Sequence, residues 1–373
     1  MNQPLNGVRV LDLSRVLAGP LATMILGDLG ADVVKIERPA TGDESRGWGP
    51  PFDARGESAY YLCCNRNKLS VAADLDDPRD QDLLLHLIAG ADVVVDNFRA
   101  GMLATRRLDQ VELLAKHPAL LWCTITGFGA ASSRPGYDFV VQAESGWMSI
   151  TGEPDGAPMK TGMALVDVIT GKDAAIAILA ALAGARRGAP SDRRLTVSLQ
   201  QSATAALINV AQNALVTGRE AGRWGNAHAN LVPYELFEAS DRALVIAVGS
   251  DAQFAAMAGA LELRGLDDAR FATNAGRLAH RAEVVSAIRA RVATKPARHW
   301  IPLLERDGVP CGVVRSVLEA LGDVTASALT GVAPQKPARV RRAPPRLDEH
   351  GALVREHGWG AFARAGATSA DIG

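Results

Sequence analysis

The segment Gly162–Asp173 (GMALVDVITGKD) holds a carboxylate in an apolar frame, Asp167 between Ala164, Leu165, Val166, Val168 and Ile169. A carboxylate so placed is costly unless it is hydrogen-bonded. A helix is expected to begin within a few residues, so Asp167 reads either as an N-cap or as a nucleophile. The two roles are compatible, because backbone N–H groups at a helix start keep a carboxylate ionised. Four further clusters fall where strands are expected to end: Ser14–Leu17, Arg38, Asn97-Phe98 and Thr126-Gly127-Phe128. Ligands of an open parallel sheet gather at those carboxyl ends. Guanidinium, amide and apolar groups in such a set suit a nucleotide with phosphates. The plainer readings are a solvated arginine, a turn asparagine and a core phenylalanine. No G-x-G-x-x-G follows the first strand and no Walker A pattern occurs, which argues against NAD and ordinary ATP use.

The elements that would position these residues repeat one plan. Val8–Leu13 reads as a strand, Ala18-Gly19-Pro20 opens an apolar helix ending at Leu29, and Gly30 suits the position after a helix. Asp32–Glu37 is a second strand. Val71–Leu75 then reads as a strand, Asp77-Pro78 as N-cap and first helical residue, Leu83–Ile88 as a helix face and Val93–Val95 as a strand. Gly30-Ala31-Asp32-Val33-Val34 is echoed by Gly90-Ala91-Asp92-Val93-Val94, and Leu120–Thr126 adds a strand. The alternation predicts an α/β fold with a doubly wound parallel sheet. Helices are expected over 138–151, 170–185 and 200–216, with a strand at Leu195–Ser198. Beyond a polar, Gly-containing boundary, strands at Tyr234–Phe237 and Ala243–Val248 open a smaller α+β unit. The expected domains are 1–216 with 330–373, and 225–325, with 217–224 and 326–346 as linkers.

The 373 residues carry 40 Lys+Arg against 41 Asp+Glu, which argues against a nucleic-acid binder. The longest apolar run, Ala174–Ala185, is too short for a bilayer span, and the N-terminus lacks a signal-peptide layout. Cys63, Cys64, Cys123 and Cys311 give no disulfide framework and no metal spacing, and the seven histidines are scattered. Cys63 and Cys64 are expected to diverge in an extended segment. A cytoplasmic, reduced protein without a structural metal and without membrane or nucleic-acid partners is the expectation.

Nine short runs, in order, resemble the class III CoA-transferases: LDLSRVLAGP (11–20), VVKIERP (33–39), NRNK (65–68), DNFRAG (96–101), TITGFG (124–129), RPGYD (134–138), VDVITG (166–171), GNAHAN (225–230) and GVPCG (308–312). The resemblance implies an interlocked homodimer with a large Rossmann-like domain. It implies CoA or acyl-CoA bound as substrate, with no tightly bound cofactor. Asp167 matches the family's catalytic aspartate. Val16, Leu17, Arg38, Asn97 and Phe98 match its CoA contacts, and Tyr137 and Asp138 match positions near the thioester. Two positions depart from the pattern: Thr105 stands where an arginine is frequent, and Asp76 where a lysine is. Arg106 is therefore the candidate for the CoA phosphates. Gly225 and His228 are the nearest counterpart of a loop that covers the thioester, His228 reading equally as a hydrogen-bonded loop residue.

The implied reaction transfers CoA between two carboxylic acids through an acyl-aspartyl anhydride and an aspartyl-CoA thioester. GNAHAN followed by VPYELF resembles members acting on short dicarboxylic acids with succinyl-CoA as donor, and Arg15 or Arg223 could hold a second carboxylate. The alternative within the family is racemisation of a 2-methylacyl-CoA. That reaction resembles a pattern with histidine where this chain has Tyr137, a poor base at neutral pH.

Overall fold

The computed structural model describes residues 3–187, 192–322 and 341–365, so most of the expected linker 326–346 and the end of the chain lie outside the described residues. Two compact units emerge, one from residues within 1–147, 160–213 and 324–373, the other from 148–159 and 214–323.

The first unit is built on six parallel strands: β1 (Arg9–Asp12), β2 (Asp32–Glu37), β3 (Lys68–Ala72), β4 (Val93–Asp96), β5 (Leu121–Thr126) and β6 (Arg194–Ser198). Their order is β3-β2-β1-β4-β5-β6. The inner strands β1, β2, β4 and β5 bury both faces, which explains their nearly continuous apolar runs, whereas the edge strand β6 buries only Ser198. Val10, Val33, Val93, Val95 and Cys123 face one layer, with Ala22 and Leu26 of helix Ala18–Asp28 and Ala174 and Ile178 of helix Leu165–Arg186. Leu11, Val34, Val94 and Trp122 face the other, with Leu84 and Leu87 of helix Pro78–Ala89 and Leu113 of helix Gln110–Lys116. The expected α/β sheet with helices on both faces is therefore present. Its order reverses between β1 and β4, which opens a crevice at their carboxyl ends.

Local signals account for much of this. Asp77 accepts from the Arg79 N–H at 2.8 Å, with Pro78 as the first helical residue. The NRNK loop is a fastener. Arg66 and Asn67 hold Asp28, at 2.6 and 2.7 Å, and the Asn67 side-chain oxygen Oδ1 accepts from the Arg341 and Arg342 N–H groups.

Four expectations about elements need correction. The helix expected from 138 to 151 is two, Asp138–Glu144 and Trp147–Ile150, broken where Gly146 takes φ +89°. The helix expected over 200–216 breaks likewise into Leu199–Ala205 and Ile208–Thr217. The long helix starts at Leu165, not near Thr170, so Asp167 lies inside its first turn. Cys63 ends a helical turn, Ala59–Leu62, capped by Ser58, and does not sit in an extended segment.

The second unit has an antiparallel sheet, β7 (Tyr234–Glu238), β8 (Ala243–Ala247) and β9 (Cys311–Val313), in that order. Its core includes Phe237, Ile246, Phe254, Ile288 and Trp300. Arg223 fastens the segment 148–159 by donating to the carbonyls of Gly156 at 2.7 Å and Glu153 at 3.1 Å. Gly225 and His228 lie in the loop before β7. The His228 Nδ1 accepts from the Asn230 N–H at 3.0 Å, and its ring lies against Tyr234.

Candidate active site

Three chain crossings bring the candidate residues of the first unit together. Helix Leu165–Arg186 crosses helix Ala18–Asp28 where a Cβ on Gly171 would stand 2.6 Å from the Ala18 carbonyl oxygen. Only glycine permits that approach, and it sets Asp167 one turn away, beside the loop after β1. The loops after β5 and before Asp138 cross at Gly127 and Gly136, where a Cβ on either would meet the other's Cα within 2.6 Å. The third crossing fixes the loop after β1. Asn97 accepts from the Arg15 N–H at 3.0 Å and donates to the Arg15 carbonyl at 2.8 Å. Its amide therefore works as a loop fastener.

Val16 follows at φ +70°, an outlier for a β-branched residue. Its N–H donates to the Asp43 carboxylate at 3.1 Å. Such strain persists only where the surroundings enforce it, and here they are a buried web of charge. Lys35 pairs with Asp43 at 3.0 Å and donates to the Ser14 carbonyl. Lys68 pairs with Asp12 at 3.0 Å. Glu37 takes Arg46 through two 2.8 Å bonds. Burial alone would raise the Asp12 carboxyl, but Lys68 and Lys35 outweigh it and hold it at about 2.

A cavity of about 360 Å³ lies over this crevice, with Val16, Leu17, Asn97, Phe98, Tyr137 and Asp167 among its walls. A second, of about 450 Å³, lies past β2 and is lined by Arg38 and Arg106; Phe98 and Arg15 border both. Asp167 is half-buried, and its carboxylate has no hydrogen-bond partner among the described residues. Burial, and then the Asp138 charge, push it up to about 7. Asp138 is the true cap of this helix. One of its oxygens accepts from the Val166 N–H at 2.8 Å and the Asp167 N–H at 3.3 Å, and the other from Gln142 at 2.6 Å. The cap reading of Asp167 is thereby replaced: the capping oxygen comes from 29 residues earlier, leaving the Asp167 carboxylate free.

Several participants had gone unseen in the sequence. Tyr60 packs with Leu17 and Cys64, and burial followed by the Asp167 charge pushes its phenol well above the usual range. Asp96 anchors the Phe98 N–H at 3.0 Å; burial raises its carboxyl. Lys35 and Glu37, charged residues inside the apolar run of β2, were a usable signal, since buried charges demand partners. Among the described residues no cluster of His, Cys, Asp or Glu is arranged for a metal ion, and no helix is long and apolar enough to cross a membrane.

The sequence matches CoA-transferase family III over residues 5–357. This chain belongs to that family. It is 41% identical to the succinate–glutarate CoA-transferase of Agrobacterium fabrum, over 94% of each chain. It is 42% identical to the succinyl-CoA:glutarate CoA-transferase of mouse, over 86% of this chain and 74% of the relative. A crystal structure of a CAIB/BAIF family protein from Brucella suis superposes with a TM-score of 0.83 at 37% identity, covering 95% of this chain and 99% of that one. The protein is thus an enzyme, a CoA-transferase whose relatives use CoA thioesters.

Proposed function

We propose that this CoA-transferase moves CoA from succinyl-CoA to a short dicarboxylic acid, glutarate foremost, with Asp167 as the nucleophile. One observation carries the reading: a carboxylate without a partner, raised to about 7, in the wall of a cavity at the carboxyl end of the sheet. A carboxylate of raised pKa is a stronger nucleophile once ionised and is still ionised in part at neutral pH. Relatives named for succinate and glutarate support the acid pair.

Asp167 attacks the succinyl thioester carbonyl and the C–S bond breaks, giving a succinyl-aspartyl anhydride and CoA thiolate. The thiolate attacks the aspartyl carbonyl, which forms the aspartyl-CoA thioester and releases succinate. Glutarate attacks that thioester, giving a glutaryl-aspartyl anhydride and CoA thiolate again. Thiolate attack on the glutaryl carbonyl then yields glutaryl-CoA and restores the carboxylate. Each tetrahedral oxyanion needs donors. Helix Ala18–Asp28 has no side-chain cap, so its first N–H groups are available, and the Tyr60 phenol stays protonated. Arg38 and Arg106 border the nucleotide end, and Arg15 lies between the two cavities.

The reading extends to an interlocked homodimer in a cytoplasmic setting. Helix Ile208–Thr217 supports the dimer: it buries none of its residues and exposes Ile208, Leu215 and Val216. Intact-protein mass spectrometry after incubation with succinyl-CoA alone tests the mechanism. The wild type is expected to gain the mass of a CoA thioester and Asp167→Ala to gain none. Glutaryl-CoA formation persisting in that variant would overturn the assignment.

A further inference from the structure

The second cavity has cations on its walls, yet little positive charge is free to meet a phosphate. On the reading above it takes the nucleotide half of CoA, because in such sheets the nucleoside lies past the second strand and Phe98 borders both cavities. That half of CoA brings roughly four negative charges, two of them on the 3′-phosphate. Its cationic lining is Arg15, Lys35, Arg38 and Arg106. Lys35 is engaged by Asp43 at 3.0 Å and Arg15 by Glu44 at 2.6 Å. Arg38 keeps only a 3.7 Å approach to Glu44 and is 60% exposed.

Arg106 is the most fully engaged. Its Nε lies 3.0 Å from one Asp76 oxygen, and its Nη2 donates to the other at 3.4 Å. Its Nη1 donates to the Met102 carbonyl and the Thr105 hydroxyl at 3.1 and 3.0 Å. All three guanidinium nitrogens therefore have partners inside the protein. For Arg106 to turn to a phosphate it must leave Asp76. The released carboxylate, 71% exposed and bordering the same cavity, then repels that phosphate.

We propose that Asp76 is a specificity-determining residue that holds Arg106 off the 3′-phosphate of CoA and leaves the enzyme with little preference for CoA over 3′-dephospho-CoA. Calorimetric titration of the full-length protein with CoA and with 3′-dephospho-CoA tests this. It is run on the wild type, Asp76→Asn, and the double variant Asp76→Asn/Arg106→Ala. The wild type is expected to separate the two ligands by less than about tenfold. Asp76→Asn is expected to tighten CoA by about 5- to 20-fold while moving dephospho-CoA by less than about twofold. The double variant is expected to lose that gain. A wild-type preference above about a hundredfold, equal shifts for both ligands in Asp76→Asn, or a gain that survives the loss of Arg106 would each overturn the proposal. A parallel assay of glutaryl-CoA formation from succinyl-CoA separates the two failures. CoA binding with the expected pattern but without transfer would sink the succinate–glutarate reading and leave the role of Asp76 standing.

Discussion

Asp12 and Asp167 belong to the same unit and are held in opposite states. Asp12 ends β1 with no exposure at all, yet it sits at about 2, because Lys68 and Lys35 outweigh the burial that would raise it. Ser14 and Thr23 also donate to it. Asp167 is only half-buried, yet it is raised to about 7 by burial and by Asp138, with no cation near. The contrast shows that the partner, more than depth, decides what a carboxylate becomes. One given ammonium groups and hydroxyls is a foundation; one given only apolar walls and a second carboxylate is a reagent.

Four perturbations bear on this contrast. Removing the reagent has the largest expected effect: Asp167→Ala should lower the rate of glutaryl-CoA formation by at least about 10³-fold, while an unchanged circular dichroism spectrum shows the fold intact. Next is the foundation. Lys68→Met leaves Asp12 buried beside one cation fewer and should cost about 3–5 kcal/mol in urea unfolding. A loss below about 1 kcal/mol would break the contrast.

The third perturbation concerns the cost of keeping the reagent. The folded state holds Asp167 near 7 against 3.8 for the free carboxyl. Ionising it therefore destabilises the fold increasingly as pH rises from about 4 to 7, and fully above that. Asp167→Asn should accordingly be more stable than wild type by roughly 2 kcal/mol at pH 8, less than the full shift implies because the cavity admits water, with no gain near pH 4. Thermal unfolding at the two pH values reads this. The smallest effect belongs to Asp138→Asn. It keeps an oxygen for the Val166 N–H and removes the charge that raises Asp167, so the acid limb of kcat/KM should move to lower pH. A limb that stays in place would assign the shift to burial alone.

Much of the fold was legible because its signals are local. Asp77-Pro78 marked a helix start that the structure keeps, and the alternating strands and helices led to the six-stranded parallel sheet. The echoed Gly-Ala-Asp-Val-Val runs each lead into a strand, β2 and β4, which flank β1. What escaped depends on pairs far apart in sequence. Asn97 fastens Arg15 across 82 positions, Asp138 caps the Asp167 helix across 29, and Asp76 meets Arg106 across 30. No periodicity carries such pairings. A polar residue's partner is set by where loops cross, and the crossings at Gly171 and at Gly127–Gly136 become visible only in three dimensions. Lys35 and Glu37 escaped as well, although charged residues inside an apolar strand are a signal that buried partners exist.

The most direct test of the contrast is a titration of the free enzyme followed by ¹³C NMR of its aspartate carboxyl groups, with the Asp167 signal identified by its absence in Asp167→Asn. A midpoint near 7 for that signal is the expected result. A midpoint near 4, the value of an ordinary carboxyl, would contradict the account of Asp167 as a carboxylate held in reserve by its surroundings.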